Sequence, residues 1–314
     1  MDKSNGYSCI IIDPVDEYLI TGLTNIGINV DFKPSISKHD LVQIIGNYDM
    51  LLGRVRLSID KSLIHKGKKL KMVIRTATGI ENIDVEELNK NDIILVSAPG
   101  ASVESVAELS VCLMIMAARN VYNDVYSLKN GAFKREMGME LKGKTLGIIG
   151  FGRIGIKLAE LLKPFGMHIV ANDVFDLSDT ANAMGVEFLE LSELLSQSDI
   201  ISVNASTKGN SKPILDHNAF MLMKRGVIIL NTARANTVDM YELQRQISNS
   251  KVGFYATDVL WNEPPTDEIE LRLIHDNRFL ATSHIGAQTY EAQKNVAKAI
   301  MEGIINALKM LDNK

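Results

Sequence analysis

The chain has 314 residues, of which 46% are hydrophobic and 23% charged, and its formal net charge is −4. This is the composition of an ordinary globular protein, and the length predicts two domains. The net negative charge does not indicate the basic surface that binds nucleic acid. The longest apolar run, residues 111–118, is too short to span a bilayer. We therefore expect no nucleic-acid partner and no membrane partner. We predict that Cys9 and Cys112 are both buried thiols, which fits a reducing compartment. The N-terminus has no signal-peptide pattern, and together these features favour a cytoplasmic location.

The first hundred residues alternate between strand and helix patterns, which is typical of parallel βαβ units. Five strands are predicted, at residues 8–12, 28–32, 49–52, 72–74 and 93–96. Arg54 and Arg75 follow the third and fourth of them. Open α/β sheets bind ligands beyond the carboxyl ends of their strands, so the two guanidinium groups are candidates for binding a carboxylate or phosphate. Two surface salt-bridge arginines are the alternative, which the sequence leaves open.

The next helix, over residues 102–119, is apolar around nearly its whole circumference in its second half. Such a helix must be buried on all sides. We predict that it lies between domains and against a second subunit, so that the protein is a homodimer. Burial of the helix by the protein's own domains is the alternative.

Residues 144–173 have the order of a dinucleotide-binding unit: a buried strand, the loop Gly150-Phe151-Gly152-Arg153-Ile154-Gly155, a helix, a second strand and Asp173. In such a unit Gly150 permits the tight turn, Gly152 lets the backbone approach a pyrophosphate, and Gly155 lets helix and strand pack closely. Asp173 is placed to accept the ribose hydroxyls. No arginine follows it closely, which favours NAD over NADP. A glycine-rich loop that only packs is the alternative.

Further strands are predicted at residues 199–203, 227–230, 254–257 and 279–282, so the second domain has six, and a last helix starts near Thr289. Arg234, Glu263 and His284 lie in loops after three of these strands. A histidine can take and return the proton of a hydroxyl, a carboxylate can fix its tautomer, and an arginine can bind a carboxylate beside the alcohol carbon. Together they predict hydride transfer between a nicotinamide cofactor and a 2-hydroxy acid. Each alone would be an ordinary loop residue.

Five stretches, residues 75–84, 150–155, 231–234, 258–264 and 283–287, resemble the signatures of the D-2-hydroxyacid dehydrogenases, and the resemblance covers the whole chain. It implies an α/β fold with two doubly wound parallel-sheet domains. A Rossmann NAD domain, residues 101–286, is inserted into a smaller flavodoxin-like substrate domain made of residues 1–100 and a returning helix at 287–314. Two residues depart from the family pattern: Ala235 replaces the usual Gly, and Ser283 replaces the usual Pro.

The sequence shows no cluster of metal ligands, so we expect no bound metal. The resemblance also implies roles for individual residues. Arg234, Glu263 and His284 would be catalytic, with His284 as the acid and base. Substrate would be bound by Arg54, Arg75, Gly79, Arg234 and His284. NAD would be bound by Thr78, Gly150, Gly152, Arg153, Ile154, Gly155, Asp173, Thr207, Thr232, Ala233, Arg234, Asp258, His284, Gly286 and Ala287.

Within the family, residues 98–102, 107–109 and 284–289 resemble the short-form D-3-phosphoglycerate dehydrogenases. This implies NAD-dependent oxidation of D-3-phosphoglycerate to 3-phosphohydroxypyruvate, the first step of serine biosynthesis. Because the sequence ends at Lys314, we expect no serine feedback through a C-terminal sensing domain. A glyoxylate, hydroxypyruvate or other 2-ketoacid reductase is the first alternative. An NAD-sensing binding protein without catalysis is the second.

Overall fold

A computed structural model describes residues 6–77, 79–133, 135–206 and 212–313. The chain divides into two compact units. The first unit consists of Met1–Ser102 and Gln288–Lys314, and the second of Val103–Ala287. Each unit is built around one parallel sheet, so the predicted fold class of two parallel-sheet α/β domains is confirmed.

The first unit has a five-stranded parallel sheet in the order β2-β1-β3-β4-β5. Its strands are β1 (Ser8–Ile11), β2 (Asn29–Phe32), β3 (Met50–Gly53), β4 (Met72–Arg75) and β5 (Ile94–Ser97). Its helices are α1 (Glu17–Asn25), α2 (Lys38–Ile44), α3 (Lys61–Lys66), α4 (Val85–Lys90) and the C-terminal α13 (Tyr290–Asp312). All five helices begin after a short polar residue whose side chain accepts a backbone N–H of the first turn.

Both faces of this first sheet are buried along β1, β3, β4 and β5, because alternate residues of these four strands enter different hydrophobic clusters. Cys9 and Ile11 of β1 pack in the cluster that contains α1 and α13. Ile10 packs on the other side, in the cluster that contains α2, α3 and α4. This explains why the strands read as continuous apolar runs rather than as alternating ones.

The second unit has a seven-stranded parallel sheet in the order β12-β11-β10-β9-β6-β7-β8. Its strands are β6 (Thr145–Ile149), β7 (His168–Asn172), β8 (Glu187–Phe188), β9 (Ile200–Val203), β10 (Val227–Asn231), β11 (Val252–Thr257) and β12 (Phe279–Ala281). The predicted number of six strands was wrong. The missed strand, β8, has only two residues, so it carries no periodic pattern, and its pairing with β7 is what defines it.

The second unit has eight α-helices among the residues that the structure describes. They are α5 (Val103–Ala118), α6 (Val121–Lys129), α7 (Arg153–Leu162), α8 (Ser178–Ala183), α9 (Leu191–Gln197), α10 (His217–Leu222), α11 (Met240–Ser248) and α12 (Glu268–Ile274). In the part of the chain that the structure covers, no single helix is long and apolar enough to cross a membrane. Only the α5–α6 pair, bent by 66°, passes that test of length and composition.

Within the single chain, helix α5 is buried on one face only, and its predicted burial against a second subunit stays a prediction. Leu113 and Met114 lie in the core of the second unit, whereas Ile115 and Met116 are partly exposed. Cys112 is exposed, which corrects the prediction of two buried thiols. Cys9 is buried, and burial raises the pKa of its thiol to about 12.

Candidate active site

The loop between β6 and α7 uses its three glycines in different ways. Gly150 has a φ of +91°, and a Cβ there would lie 2.5 Å from the Ala205 nitrogen. A Cβ on Gly155 would lie 2.3 Å from the Gly150 carbonyl oxygen. A Cβ on Gly152 would meet nothing within 4 Å. The first and third glycines are therefore required by packing within the protein, whereas the second faces open space that a ligand can enter.

The open space at Gly152 lies at the start of α7, and this arrangement fits a bound dinucleotide. Gly152 is the N-cap of α7 and supplies no side-chain hydrogen bond, so the helix N-terminus, with Arg153 and Ile154 in its first turn, is available to a phosphate. Asp173, after β7, accepts hydrogen bonds from the N–H groups of Phe151 (2.8 Å) and Phe175 (3.1 Å). Its carboxylate is thereby held beside the glycine loop, where a ribose is expected to bind.

Glu263 and His284 form a direct pair in the second unit. The Nδ1 atom of His284 lies 2.9 Å from Oε2 and 3.1 Å from Oε1 of Glu263. Oε1 also accepts the N–H of Leu260 at 3.2 Å. The carboxylate favours the tautomer with a proton on Nδ1, which leaves Nε2 to exchange a proton with substrate. The His284 and Glu263 side chains are 50% and 43% exposed, so the pair is accessible to small molecules.

The loop that carries His284 is held by Asp258, a residue at the end of β11 that is 2% exposed. Its carboxylate accepts the N–H of Ile285 at 2.8 Å and the N–H of Gly286 at 2.7 Å, and also the Thr282 hydroxyl. The resemblance implied that Asp258 and Gly286 contact the cofactor. In the structure the Asp258 carboxylate binds the Gly286 N–H across 28 positions of sequence, and its bonds to Ile285 and Gly286 fix the backbone directly after His284. The sequence contained no signal for this pairing.

Arg234 follows β10 in a loop that is shaped by the buried Asn231. The side chain of Asn231 donates to the Arg234 carbonyl oxygen at 3.0 Å and accepts the N–H of Ala233 at 3.1 Å. Nη1 of Arg234 donates to the Ala233 carbonyl oxygen at 2.7 Å. The Thr232 hydroxyl lies 3.0 Å from that of Ser110. The sequence analysis missed the role of Asn231, although its position at a strand end, three residues before the candidate Arg234, was visible.

The catalytic candidates of the second unit therefore follow three strands that are neighbours in its sheet. Arg234 follows β10, Glu263 follows β11 and His284 follows β12. Trp261, two residues before Glu263, is partly buried and packs against the core of the second unit. Its ring stacks on Tyr255 with a centroid distance of 6.4 Å, and its indole N–H donates to the Val238 carbonyl oxygen.

The first unit places its two candidate arginines in different environments. Arg75 is 2% exposed, and its Nε donates to the Gly79 carbonyl oxygen at 3.0 Å while Nη2 bonds the side chain of Asn82. Burial lowers the pKa of Arg75 to about 10, so it remains charged at neutral pH. Arg75 is thus not one of the surface arginines that the alternative described. The Arg54 side chain is half-buried and has no hydrogen-bond or ion-pair partner among the described residues.

Two of the predicted cofactor contacts, Thr78 and Thr207, lie outside the described residues. Within the described ranges, no group of three or more His, Cys, Asp and Glu side chains is placed to hold a metal ion.

Comparison with known proteins places this geometry in a family. The profile of the family "D-isomer specific 2-hydroxyacid dehydrogenase, NAD binding domain" matches residues 111–286. The chain is 36% identical over 304 residues to a hydroxypyruvate reductase of Thermotoga maritima, covering 96% of this chain and 98% of that protein. It is 37% identical over 303 residues to a D-3-phosphoglycerate dehydrogenase of Methanocaldococcus jannaschii, covering 96% of this chain. This chain spans only 57% of the length of that dehydrogenase.

Among solved structures, a glyoxylate reductase from Paecilomyes thermophila superposes with a TM-score of 0.88 at 27% identity, over 96% of this chain and 95% of that one. The fold, the glycine loop and these relatives together define an NAD-dependent oxidoreductase. The chain belongs to the D-isomer-specific 2-hydroxyacid dehydrogenases, which confirms the resemblance drawn from its motifs.

Proposed function

We propose that this dehydrogenase interconverts D-3-phosphoglycerate and 3-phosphohydroxypyruvate with NAD. The Glu263–His284 pair is the observation that carries the chemistry, because it supplies an oriented acid and base beside the expected cofactor site. The phosphorylated substrate is supported by the half-buried guanidinium of Arg54 and by the phosphoglycerate dehydrogenases among the relatives. Serine biosynthesis would be the metabolic context.

In this proposal each side chain has a defined task. NAD, held at the glycine loop of residues 150–155, would supply the hydride acceptor for the alcohol carbon. His284 takes the hydroxyl proton at Nε2, and Glu263 compensates the positive charge that forms on the ring. Arg234 binds the substrate carboxylate and polarises the carbonyl that develops. Arg54, Arg75 and Gly79 remain predicted substrate contacts, although the contacts of Arg75 with Gly79 and Asn82 favour a role in shaping that loop.

Reduction of hydroxypyruvate is the second candidate function. It is favoured by one specific observation, since the Thermotoga maritima relative named for this activity matches over 98% of its length. The loss of Arg75 as an accessible cation also weakens the argument for a phosphate.

The deciding experiment measures NADH oxidation by the purified protein with 3-phosphohydroxypyruvate, hydroxypyruvate and glyoxylate. We expect kcat/KM to be highest for 3-phosphohydroxypyruvate, and Arg54→Ala to lower kcat/KM for this substrate more than for hydroxypyruvate. Neutralising a charge-assisted contact removes about 1.5–3 kcal/mol, or roughly 10- to 100-fold in affinity. A preference for hydroxypyruvate or glyoxylate that Arg54→Ala leaves unchanged would reject the phosphorylated substrate and keep the reaction class.

We also propose that the protein is a homodimer through an apolar surface of the second unit, here called the α5–α6 face. This face consists of Val111, Cys112, Ile115 and Met116 on α5 and the exposed residues Val125, Tyr126 and Leu128 on α6. Tyr126 is 59% and Leu128 58% exposed in the single chain. Exposed apolar side chains gathered on two consecutive helices are typical of an interaction site, and this supports the proposed interface.

A further inference from the structure

Glu270, in the first turn of α12, is a fully buried carboxylate that the proposed reaction has not yet used. It is 0% exposed. It lies three residues after Asp267, the N-cap of α12, whose side chain accepts the N–H groups of Ile269 and Glu270. An acidic residue at this spacing usually reaches back to the N-cap N–H to complete a capping box. The carboxylate of Glu270 instead accepts hydrogen bonds from the loop that follows β11.

All three donors to Glu270 come from the two residues immediately before Glu263. Oε1 accepts the N–H of Trp261 at 2.7 Å and the N–H of Asn262 at 3.2 Å, and Oε2 accepts Nδ2 of Asn262 at 2.9 Å. A buried carboxylate is costly unless such donors compensate the loss of water. The interaction is therefore mutual, because the same bonds hold both the carboxylate and the loop.

These bonds continue directly to the catalytic pair. The N–H of Leu260 donates to Oε1 of Glu263, so three consecutive N–H groups, at positions 260, 261 and 262, are received by only two carboxylates. The stacked and hydrogen-bonded ring of Trp261 fixes the middle of this turn. The turn at residues 260–262 orients the Glu263 side chain toward Nδ1 of His284, and Glu270 stabilises this turn.

We propose that Glu270 is a positioning residue: it fixes the turn at residues 260–262 so that the Glu263 carboxylate stays on Nδ1 of His284. The proposal rests on the role given above to His284 as acid and base. Without the Glu270 carboxylate, two N–H groups lose their acceptor and the turn can relax. Glu263 then no longer holds a single tautomer of the ring.

The test compares Glu270→Ala with Glu270→Gln and with the matched control Glu242→Ala. Glu242 is also a buried carboxylate three residues after an aspartate N-cap, Asp239, but it pairs with His217, Arg245 and Gln246. We expect Glu270→Ala to lower kcat about 10-fold or more, in the range known for residues that orient a functional histidine. KM and the Kd for NADH should change less than twofold. Glu270→Gln, which keeps an oxygen for the two N–H groups, should recover most of kcat.

A double-mutant cycle separates positioning from general destabilisation. If Glu270 acts through Glu263, the loss caused by Glu270→Ala should disappear in a Glu263→Gln background. Glu242→Ala should lower Tm as much as Glu270→Ala does and leave kcat unchanged. Equal losses of kcat in both backgrounds, or an unchanged kcat in Glu270→Ala, would overturn the proposal.

A second readout does not need turnover, so it distinguishes a failure of this proposal from a failure of the substrate proposal. The ¹⁵N chemical shifts of the neutral His284 ring, assigned by comparison with His284→Gln, report which nitrogen carries the proton. We expect the Nδ1–H tautomer in the parent protein and a mixture in Glu270→Ala. The same tautomer in both proteins would reject the positioning role, whatever substrate the enzyme uses.

Discussion

At the scale of single residues, Gly152 and Gly155 separate ligand binding from packing within one loop. A methyl group on Gly152 would point into open space, whereas one on Gly155 would collide with the Gly150 carbonyl. We predict that Gly152→Ala leaves the Tm of the protein without cofactor unchanged and weakens NADH binding about 10-fold or more, because the methyl group occupies the approach of the pyrophosphate. Fluorescence titration with NADH and a thermal melt measure the two quantities.

Gly155→Ala is the matched comparison for this prediction. It should lower the free energy of unfolding by about 1–3 kcal/mol, as is usual when extra volume enters a packed interior. If Gly152→Ala also lowered Tm and left the NADH affinity unchanged, the open space at Gly152 would have no part in binding the cofactor.

At the scale of elements, α5 combines a buried face with an exposed apolar one, and this carries the homodimer proposal. Replacing Ile115 with Glu puts a charge on the α5–α6 face at a partly exposed side chain that packs on the core, while the buried residues Leu113 and Met114 are kept. We predict that this variant is a folded monomer by light scattering, whereas the parent protein is a dimer, because a charge cannot be buried unpaired in an interface.

The control for the α5–α6 face is Met310→Glu on α13, where an equally apolar side chain is 60% exposed in the first unit. This variant should remain a dimer. A parent protein that is already monomeric, or a dimer that survives Ile115→Glu and is broken by Met310→Glu, would contradict the proposed interface.

At the scale of the whole molecule, the preference for NAD over NADP should appear as a difference in Tm between the protein with NADH and the protein with NADPH. Asp173 follows β7, and the next two residues, Val174 and Phe175, are exposed and apolar, so neither of them offers a cation to a 2′-phosphate. A ligand that binds only the folded state stabilises it by about 2.7 kcal/mol at 100 times its Kd. We therefore predict that saturating NADH raises Tm by several degrees, and that NADPH at the same concentration raises it much less. Equal shifts would contradict selection for NAD.

Features that depend on neighbouring residues could be predicted from the sequence, whereas features that depend on contacts distant in sequence could not. The glycine loop and the loops that carry Arg234, Glu263 and His284 are local patterns of strand, turn and residue type, and for that reason the family and the cofactor were accessible from sequence. The two-residue strand β8 was not, because only its pairing with β7 defines it.

The groups that hold the site were decided by tertiary structure alone. Asp258 meets Gly286 across 28 positions, and Glu270 turns away from its own N-cap to the loop of Glu263. Arg75 is buried against Asn82, and α5 leaves one apolar face exposed. The type of a side chain predicts what it can bind. Only the packed fold determines which hydrogen-bond partner it has and whether it is exposed to water. Sequence alone therefore identified the candidate reacting groups, and the fold decided which residues hold them in place.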